Sequence, residues 1–519
     1  MTAMTPPTSE PAPTTLTQRT RLGLEIAGLG LVAGVIGDGL LRAMPWGLNV
    51  SLGVAALVGA GLMLIQRNKI QAGPDTPWLA ITALLLGAAF LRRDSEELNA
   101  FNILALILTL ALTAASVQRE RVSTWYPLDY VRGVVTSAFN SVVGSLLLIF
   151  SDIQWRELPE TGRLRHARGA VLGTLIAIPL LVIFAGLFAS ADPVFSNFLS
   201  SVLSFNIESA GEHTFLFVFW GALSAGYLRW TFLGQPVGLQ LATPRALPSV
   251  VPIATALGLL NFLFLMFVIV QIRYFFGGSD LIEQTSGLTY ATYARQGFFQ
   301  LVVASGLVLP ILLGADHLVT GGTAAQVRVF RQLAGLLLVL LAVIMASALQ
   351  RMRLYVGTYG LSEDRLYATA FMILLIGIFA WFCWTVLRGV RHRFAFGALM
   401  QAFAVLAGLH VLNPDAFIVR TNLDRPVDER PFDARYASTL GADAVPALLD
   451  ALPRFNTDDR CIIVTRLLDR WVDGSGELAR ADWRTWNWSR SRARSMLRER
   501  APELRESCKD YKEAPPSDH

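Results

Sequence analysis

Long apolar runs recur along this chain of 519 residues, and they constrain its fold more than any other feature. A helix needs about 20 apolar residues to cross about 30 Å of hydrocarbon. Only 16% of the residues are charged, against about 25% in soluble domains. The sequence therefore predicts an all-α, polytopic helical membrane protein with about 11 spans, near residues 22–41, 47–65, 78–91, 98–116, 170–190, 214–233, 250–272, 296–316, 333–350, 366–387 and 394–412.

A twelfth candidate span, residues 134–150, is strongly apolar only over its second half. Lysine and arginine near span ends remain cytoplasmic as a rule, and the basic residues of the first half share one side only if this segment does not cross. We therefore predict that residues 127–150 are in-plane or re-entrant, with a cytoplasmic N-terminus and an extracytoplasmic C-terminus. A twelve-span alternative would move those basic residues outside, whereas the eleven-span topology leaves three arginines of the loop 351–365 outside against the rule.

Three regions follow from this pattern. Residues 1–21 are rich in proline and threonine, lack the features of a signal peptide, and are predicted to be a disordered tail. Residues 22–413 form the transmembrane domain. Residues 414–519 lack long apolar runs and are predicted to be a small, soluble, extracytoplasmic α-helical domain.

The predicted helices of the C-terminal domain have amphipathic spacing. Two short pieces are expected in residues 432–452, interrupted by a glycine and a proline, and one helix in residues 458–472 buries Cys461, Val464, Leu468 and Trp471. A longer helix, residues 482–506, places Trp486 with Ala493, Leu497 and Leu504 on one stripe, with a row of arginines beside it. The tryptophans then belong to the core and the arginines to a solvated face, or the arginines contact anionic headgroups or wall polymers.

The predicted exterior position of this domain has two chemical consequences. A surface rich in tryptophan and arginine suggests nucleic-acid binding on a soluble protein, but nucleic acid is not expected outside the cytoplasm, so that class is excluded. An oxidising exterior permits a disulfide between Cys461 and Cys508; two buried thiols are the alternative.

The sequence contains no motif for nucleotide binding, hydrolysis or metal-dependent proteolysis. Its six histidines are scattered, without a pair spaced as metal ligands. No catalytic residue, cofactor or metal site is therefore predicted, and an enzyme is less expected than a non-enzymatic protein.

Three acidic residues lie in or beside predicted spans, where a charge facing lipid is costly. Glu25 lies about one turn inside the first span, where it reaches the interface or lines a proton or solute pathway. Asp38 precedes Arg42 by four residues, which favours a local ion pair at the membrane edge. Asp192 precedes Pro193 at the end of a span and is expected to end that helix.

Two aromatic loops fall on the predicted outer face. The first contains Tyr293 and Arg295, and the second contains Tyr359 and Arg365. Tyrosine and arginine are common at membrane interfaces. Together with the loop 191–213 and the C-terminal domain, these loops are predicted to form the functional, outer face of the protein.

Several motifs in these regions resemble a known family: "FASADPVF" (188–195), "YARQGFFQL" (293–301), "YGLSEDRLYA" (359–368), "NPDAFIVRTN" (413–422), "YASTLGADAVPALL" (436–449) and "WNWSRSRAR" (486–494). The chain is similar to multispanning membrane proteins described as domain of unknown function 4173, related to 4153. The resemblance implies a bacterial inner-membrane protein and no defined reaction. It adds motif residues as candidate functional positions: Asn413, Asp415, Trp486, Arg490 and Arg494.

Three functions remain open from the sequence. The favoured one is a non-enzymatic envelope sensor, scaffold or assembly factor whose C-terminal domain meets an envelope protein, an anionic polymer or lipid headgroups. A transporter is the first alternative, although paired intramembrane charges and internal repeats are not evident. A membrane enzyme acting on lipid-linked or wall substrates is the second, and it would need carboxylates clustered on outer loops.

Overall fold

A computed structural model describes residues 17–118, 120–157, 173, 177, 180–181, 183–196, 207–234, 249–276, 298–319, 321–425, 431–474, 482–509 and 511. The described residues contain helices and no strands. The membrane helices are α1 Gln18–Ile36, α2 Leu48–Arg67, α3 Thr76–Ala89, α4 Glu96–Val117, α5 Pro127–Leu147, α6 Ile207–Leu233, α7 Val251–Phe276, α8 Phe298–Val319, α9 Ala324–Tyr359, α10 Glu363–Thr385 and α11 Phe394–Leu412. The C-terminal helices are α12 Pro414–Leu423, α13 Ala434–Thr439, α14 Val445–Ala451, α15 Thr457–Leu468 and α16 Trp488–Ser507.

Within the described residues, nine helical stretches are long and apolar enough to cross a membrane. They include Pro127–Asp152, whereas Thr76–Ala89 is shorter, and α6 is not among them although it packs along α1 and α5. The outward faces carry exposed apolar side chains such as Leu85, Val339 and Leu263, with exposures of 65%, 63% and 61%. Apolar surface on this scale is stable against lipid rather than water, so the protein is membrane-embedded.

Hydrogen bonds connect the helix ends at one end of the bundle, here called the base. The side-chain amide of Asn68, after α2, donates to Glu25 Oε2 in α1 at 2.9 Å. The Gly73 backbone N–H donates to the Ser116 carbonyl near the end of α4 at 2.9 Å. Gln118 Nε2 donates to the Trp230 carbonyl near the end of α6 at 2.6 Å. The start of α1 and the ends of α2, α4 and α6 therefore lie together.

The opposite end, here called the capped end, is where the C-terminal helices pack. Asp38, in a π-helical turn (Gly37–Leu41) that extends α1, lies 2.7 Å from His213 near the start of α6. The Leu48 backbone N–H, at the start of α2, donates to the Trp486 carbonyl at 2.9 Å. Arg93, after α3, donates to the His410 carbonyl near the end of α11.

Small residues allow α1 and α6 to pack closely between the two ends. A Cβ atom added to Gly30 would lie 2.7 Å from Ala225 Cβ, and one added to Gly34 would lie 2.6 Å from the Phe217 carbonyl oxygen. Neither position accepts a side chain without displacing the neighbouring helix. Close backbone contact of this kind stabilises helix pairs in lipid, where the hydrophobic effect does not drive association.

Both ends of α5 contact residues of the base. Near its start, Tyr130 Oη donates to the Val122 carbonyl, in the segment that follows α4, at 2.6 Å. A π-helical turn (Leu148–Asp152) extends the helix, and Asp152 at its end lies 2.5 Å from Arg19 at the start of α1. The same carboxylate lies 2.5 Å from Arg229 near the end of α6.

The five C-terminal helices share one apolar core. Trp471, Ile463, Leu497 and Val445 are fully buried in it, and Leu361 of the bundle packs against the same cluster. The structure joins Cys461 to Cys508, with 5.4 Å between their Cα atoms. The buried stripe of residues 461, 464, 468 and 471 and the break at Gly441 agree with the sequence expectations.

One prediction about the last helix is wrong. Trp486 is 44% exposed and precedes α16, which begins at Trp488, whereas Ala493, Leu497 and Leu504 are buried as expected. Because α16 begins only after its cap residue Asn487, the helical stripe ends before it reaches Trp486, which follows a 3-10 turn of residues 483–485. The row of arginines is also not uniformly solvated, because Arg490 is 2% exposed.

Candidate functional site at the capped end

The end of α3 is closed by residues from the far end of the chain. The final carbonyl groups of a helix have no partner within it. The Asn487 side-chain amide donates to the Phe90 and Arg93 carbonyls at 2.8 and 2.9 Å. The Trp488 backbone N–H donates to the Leu91 carbonyl at 2.7 Å. Ser489 Oγ donates to the Arg92 carbonyl, also at 2.7 Å. The segment "NWS" thus serves as the C-terminal cap of a helix that lies far away in sequence.

Asn487 performs a second task at the same place. Its side-chain oxygen accepts a hydrogen bond from the Arg490 backbone N–H at 3.1 Å and so caps the start of α16. Asparagine is among the preferred residues at this position because its oxygen satisfies an otherwise free donor. One side chain therefore ends α3 and begins α16, which fixes the two helices relative to each other.

Arg490 makes the most extensive contact between the C-terminal helices and the bundle. Its Nη1 lies 2.7 Å from Asp94 Oδ1, and both side chains are almost completely buried. Its Nη2 donates to the carbonyls of Trp46 at 2.8 Å and Thr485 at 2.7 Å. Arginine suits this place because its planar group donates in several directions while remaining charged.

A second buried pair lies beside the first. Arg93 Nη1 lies 2.8 Å from Asp443 Oδ1, and Arg93 also donates to the His410 carbonyl. Asp443 accepts further hydrogen bonds from Ser489 Oγ at 2.7 Å and from the Asp94 backbone N–H at 2.8 Å. We call these residues the polar junction: Arg93, Asp94, Asp443, Asn487, Ser489 and Arg490.

Within the described residues, a buried carboxylate without a cationic partner, that of Asp415, lies next to the polar junction. Asp415, in the first turn of α12, is 0% exposed. Its Oδ2 accepts one hydrogen bond, from the Gly441 N–H at 3.1 Å, and its Oδ1 is buried without a hydrogen-bond partner. Burial raises the pKa of Asp415 well above its ordinary value, and the negative charges of Glu363, Asp443 and Asp94 add to that effect. Burial also raises the pKa of Asp94, although the Arg490 charge opposes the shift.

The helix ends around Asp415 extend this network. The Glu363 backbone N–H, at the start of α10, donates to Tyr436 Oη at 2.9 Å, and burial raises the pKa of Tyr436 to about 12. Ser95 and Tyr367 form a buried hydroxyl pair at 2.8 Å. The C-terminal helices are therefore joined to α10 as well as to α3, and α10 is joined in turn to the start of α4.

A pocket of about 240 Å³ opens beside the polar junction, lined among others by Arg92, Arg93, Asn413, Asp443, Trp488 and Arg492. Arg92 and Arg492 are exposed, whereas Arg93 and Asp443 are buried and paired with each other. The pocket is therefore positively charged.

The two acidic residues of the first predicted span lie at opposite ends of the bundle. Glu25 Oε1 lies 2.9 Å from Arg67 and 3.5 Å from Arg21 at the base. Asp38 lies at the capped end, so the two do not share a cavity at membrane depth. The expected ion pair between Asp38 and Arg42 is replaced by a bridge, because His213 contacts both, Arg42 at 2.9 Å. The π-helical turn at Gly37–Leu41 changes the register that a local pair requires.

Two of the remaining sequence-predicted residues, Asp192 and Arg365, lie at helix ends. Asp192 follows a helical stretch, residues 183–191, and its Oδ1 accepts a hydrogen bond from the Val194 N–H at 2.8 Å. Arg365 donates to the carbonyls of Tyr359 and Gly360, and so closes the end of α9. Tyr293 and Arg295 lie outside the described residues.

The last motif positions lie at the polar junction or next to it. Asn413 adopts a left-handed conformation, with φ of 59°, that ends α11 and turns the chain directly into α12. Arg490 is a member of the junction, while Trp486 is exposed beside it and Arg494 is partly buried one turn further along α16.

Sequence reasoning missed Arg93, Asp94, Asp443, Asn487 and Ser489. The available signal was "RRD" (92–94), a basic pair at a loop that the sequence predicts to be on the outer face, where arginine is disfavoured. Within the described residues, no group of three or more histidine, cysteine, aspartate or glutamate side chains is arranged to hold a metal ion.

One comparison with known proteins identifies a family. The family model described as domain of unknown function DUF4153 matches residues 80–451, well over half of the chain. The chain belongs to the DUF4153 family. The 4173 designation suggested by the motifs is not supported, whereas the related 4153 is. No curated protein and no solved structure matches the chain.

The matched region divides the polar junction. It includes Arg93, Asp94 and Asp443 but ends before Asn487, Ser489 and Arg490. The family match therefore covers the bundle residues of the junction and Asp443, and not the segment 487–490 that closes it.

Proposed function

We propose that this DUF4153 protein is a non-enzymatic envelope protein of the bacterial inner membrane, a sensor or scaffold whose C-terminal domain binds an envelope partner. The observation that carries the proposal is the polar junction. Arg490 and Asn487 connect α16, and with it the other C-terminal helices, to the start of α2 and the end of α3 through buried, paired groups. Buried networks of this kind fix orientation, so a load or ligand on the C-terminal domain is transmitted to the membrane helices.

The proposed topology has a cytoplasmic base and an extracytoplasmic capped end. Arg21, Lys69, Arg121, Arg132 and Arg328 belong to the base, whereas the short loops 42–47, 90–95 and 360–362 at the capped end hold only Arg42, Arg92 and Arg93. This distribution supports a cytoplasmic base. A Cys461–Cys508 disulfide supports an oxidising environment around the C-terminal domain. Because both ends of α5 contact the base, we propose that this helix does not cross. The other ten membrane helices and the predicted span at residues 170–190, which lies only partly within the described residues, then give eleven spans.

Transport is supported less well. Glu25 is engaged by Arg67 and Asn68, and Asp38 is engaged by His213 at the other end of the bundle. A proton or solute pathway needs ionisable groups that face a shared, water-accessible cavity. The described residues offer these carboxylates as parts of separate, paired clusters.

A membrane enzyme is the second alternative, because carboxylates do gather at the capped end. Three of them are buried between the bundle and the C-terminal helices. Asp415 and Asp443 are 0% and 6% exposed, and the side chain of Asp94 is 11% exposed. A general acid or base must reach a substrate. Their burial favours a structural and binding role over catalysis.

The topology is tested first, with single cysteines introduced into a Cys383→Ser background that retains the disulfide. Ser495→Cys lies on the exposed face of α16 and Glu120→Cys lies at the base. We expect a membrane-impermeant maleimide to label Ser495→Cys in intact cells and Glu120→Cys only after lysis. The opposite pattern would reverse the topology and remove the proposed exterior partner.

Partner binding is tested with a photoreactive amino acid at position 499, exposed on α16, and at position 339, exposed to lipid on α9. We expect a discrete adduct with an envelope protein or polymer from position 499, lost in Arg490→Ala and retained in Arg490→Lys at equal protein abundance. Position 339 controls for contact with lipid neighbours. Solute flux in proteoliposomes that disappears in Glu25→Gln, without an adduct from position 499, would contradict the proposal and favour transport.

A further inference from the structure

The pocket beside the polar junction contains two guanidinium groups that the protein does not neutralise. Among the described residues, no carboxylate lies within ion-pair distance of Arg92 or Arg492. Arg492 lies over the Trp488 ring, 5.4 Å from its centroid, which holds the charge at the pocket without cancelling it. The pocket therefore presents two available cations and an aromatic wall.

The acidic residue in the pocket does not compete for those cations. Asp443 Oδ1 is occupied by Arg93 Nη1 at 2.8 Å and Ser489 Oγ at 2.7 Å, and its Oδ2 by the Asp94 N–H at 2.8 Å. Arg93 is likewise occupied by Asp443 and the His410 carbonyl. The buried pair forms a neutral floor, and the uncompensated charge belongs to Arg92 and Arg492 at the rim.

The pocket lies at the level where the hydrocarbon region ends. Arg92 follows the last turn of α3, and Asn413 follows the last turn of α11. Val411 and Leu412, immediately before Asn413, are 76% and 41% exposed, as expected for lipid-facing positions. Trp483, Trp486 and Trp488 are 63%, 44% and 48% exposed at the same end. Exposed tryptophans beside arginines are characteristic of the headgroup layer.

We propose that this pocket binds the phosphate group of an anionic phospholipid, with Arg92 and Arg492 as the phosphate ligands and Trp488 against the glycerol and first acyl carbons. Guanidinium groups form charge-assisted, bidentate hydrogen bonds with phosphate. The pocket volume of about 240 Å³ admits a headgroup. The inference deepens the proposed function, on which it rests for the choice of the outer leaflet. It also gives a role to Arg92, which lies in a short loop where the proposed topology disfavours arginine.

Binding is tested on the full-length protein, delipidated in detergent and titrated with phosphatidylglycerol, phosphatidylethanolamine or inorganic phosphate, with bound lipid counted by native mass spectrometry. We expect phosphatidylglycerol to bind about tenfold or more tightly than phosphatidylethanolamine, since each arginine near an anionic surface contributes about 1 kcal/mol. The variant Arg92→Gln/Arg492→Gln is expected to lose most of that preference. Arg498→Gln, which removes an exposed arginine from the same helix outside the pocket, is expected to retain it.

Each contrary outcome overturns the inference. Equal retention of phosphatidylglycerol by the double variant and by Arg498→Gln would show that the pocket is not the site. Inorganic phosphate that displaces the lipid at similar concentration would identify a free-phosphate site instead. Unchanged thermal unfolding of the double variant shows that a loss of lipid is not a loss of fold. Because the assay needs neither cells nor a partner, its failure leaves the partner-binding proposal standing, and the reverse also holds.

Discussion

The base and the capped end of the bundle both use buried arginine–carboxylate pairs, but with different charge balance. At the base, one carboxylate, Asp152, lies between two guanidinium groups, those of Arg19 and Arg229. At the capped end, three buried carboxylates lie near two arginines. Arg93 pairs with Asp443 and Arg490 with Asp94, whereas Asp415 contacts neither arginine directly. Burial and the charges of neighbouring carboxylates favour the protonated form of Asp415. The base therefore joins its helices through a carboxylate with two cationic partners, and we expect the capped end to respond to pH.

Removing Arg490 is expected to have the largest effect. Arg490→Ala leaves Asp94 buried without its main partner, and breaking a buried pair from one side costs about 3–5 kcal/mol. We expect a large decrease in the thermal unfolding temperature, measured by tryptophan fluorescence in detergent. Proteolysis should then release the C-terminal helices before the bundle unfolds.

Arg498→Ala is the matched control for this prediction, because it removes an exposed arginine from the same helix. The free energy of unfolding of Arg498→Ala should remain within about 0.5 kcal/mol of that of the unmodified protein. Equal effects of the two substitutions would show that the polar junction contributes little and that the apolar core of the C-terminal helices alone holds them in place.

Removing one of the two arginines at the base should cost less. In Arg229→Gln, Asp152 retains Arg19 at 2.5 Å, and glutamine can still donate to the carboxylate. A lost charge-assisted hydrogen bond at a buried site costs about 1–3 kcal/mol. The same unfolding assay measures this loss of stability. A larger decrease in unfolding temperature than in Arg490→Ala would contradict the prediction and show that stability depends more on the base than on the capped end.

The smallest expected effect, and the one that distinguishes the two ends most sharply, concerns Asp415. Its pKa is raised in the folded state from an ordinary 3.8, so the folded protein retains a proton that the unfolded chain loses. Stability from this group is complete below pH 3.8 and declines as pH rises towards the folded pKa. Asp415→Asn keeps an acceptor for the Gly441 N–H and removes the titration. We therefore expect a gain on the order of 1 kcal/mol near neutral pH and a flatter dependence of the unfolding temperature on pH.

The pH series needs Asp94 to be taken into account, because burial raises its pKa in the same direction. In Asp415→Asn, the slope of the unfolding temperature against pH should thus decrease rather than disappear. Arg498→Ala, on the exposed face of α16, should leave the slope of unfolding temperature against pH unchanged between about pH 4 and pH 8. A slope that is unaltered by Asp415→Asn would assign the pH dependence to other groups.

The helices followed from the sequence far better than the polar junction did. Apolar runs predict membrane helices directly because lipid requires every backbone group to be bonded within its own segment. The stripe of Cys461, Val464, Leu468 and Trp471 was correct for a similar reason, since burial on one helix face repeats with the helical period.

The junction depends instead on distant pairing. Nothing in "WNWS" or "RRD" indicates that Asn487 meets the Phe90 carbonyl, because the donor and acceptor are 397 residues apart and the acceptor belongs to the backbone. The alternation of exposed Trp486 and Trp488 with buried Asn487 and Ser489 also runs against their usual preferences. The helical spacing of Trp486 with Ala493 and Leu497 predicts a core position, whereas at the edge of a bilayer an outward tryptophan is stable.

The capping of α3 by Asn487, Trp488 and Ser489 has a consequence for how the protein is made. The third helix enters the membrane early in synthesis, but its terminal carbonyl groups acquire their protein partners only when residues 487–489 have been made. Until then, water or headgroups must occupy those groups. A stop codon or a cleavage just before residue 487 would consequently injure a part of the molecule completed hundreds of codons earlier.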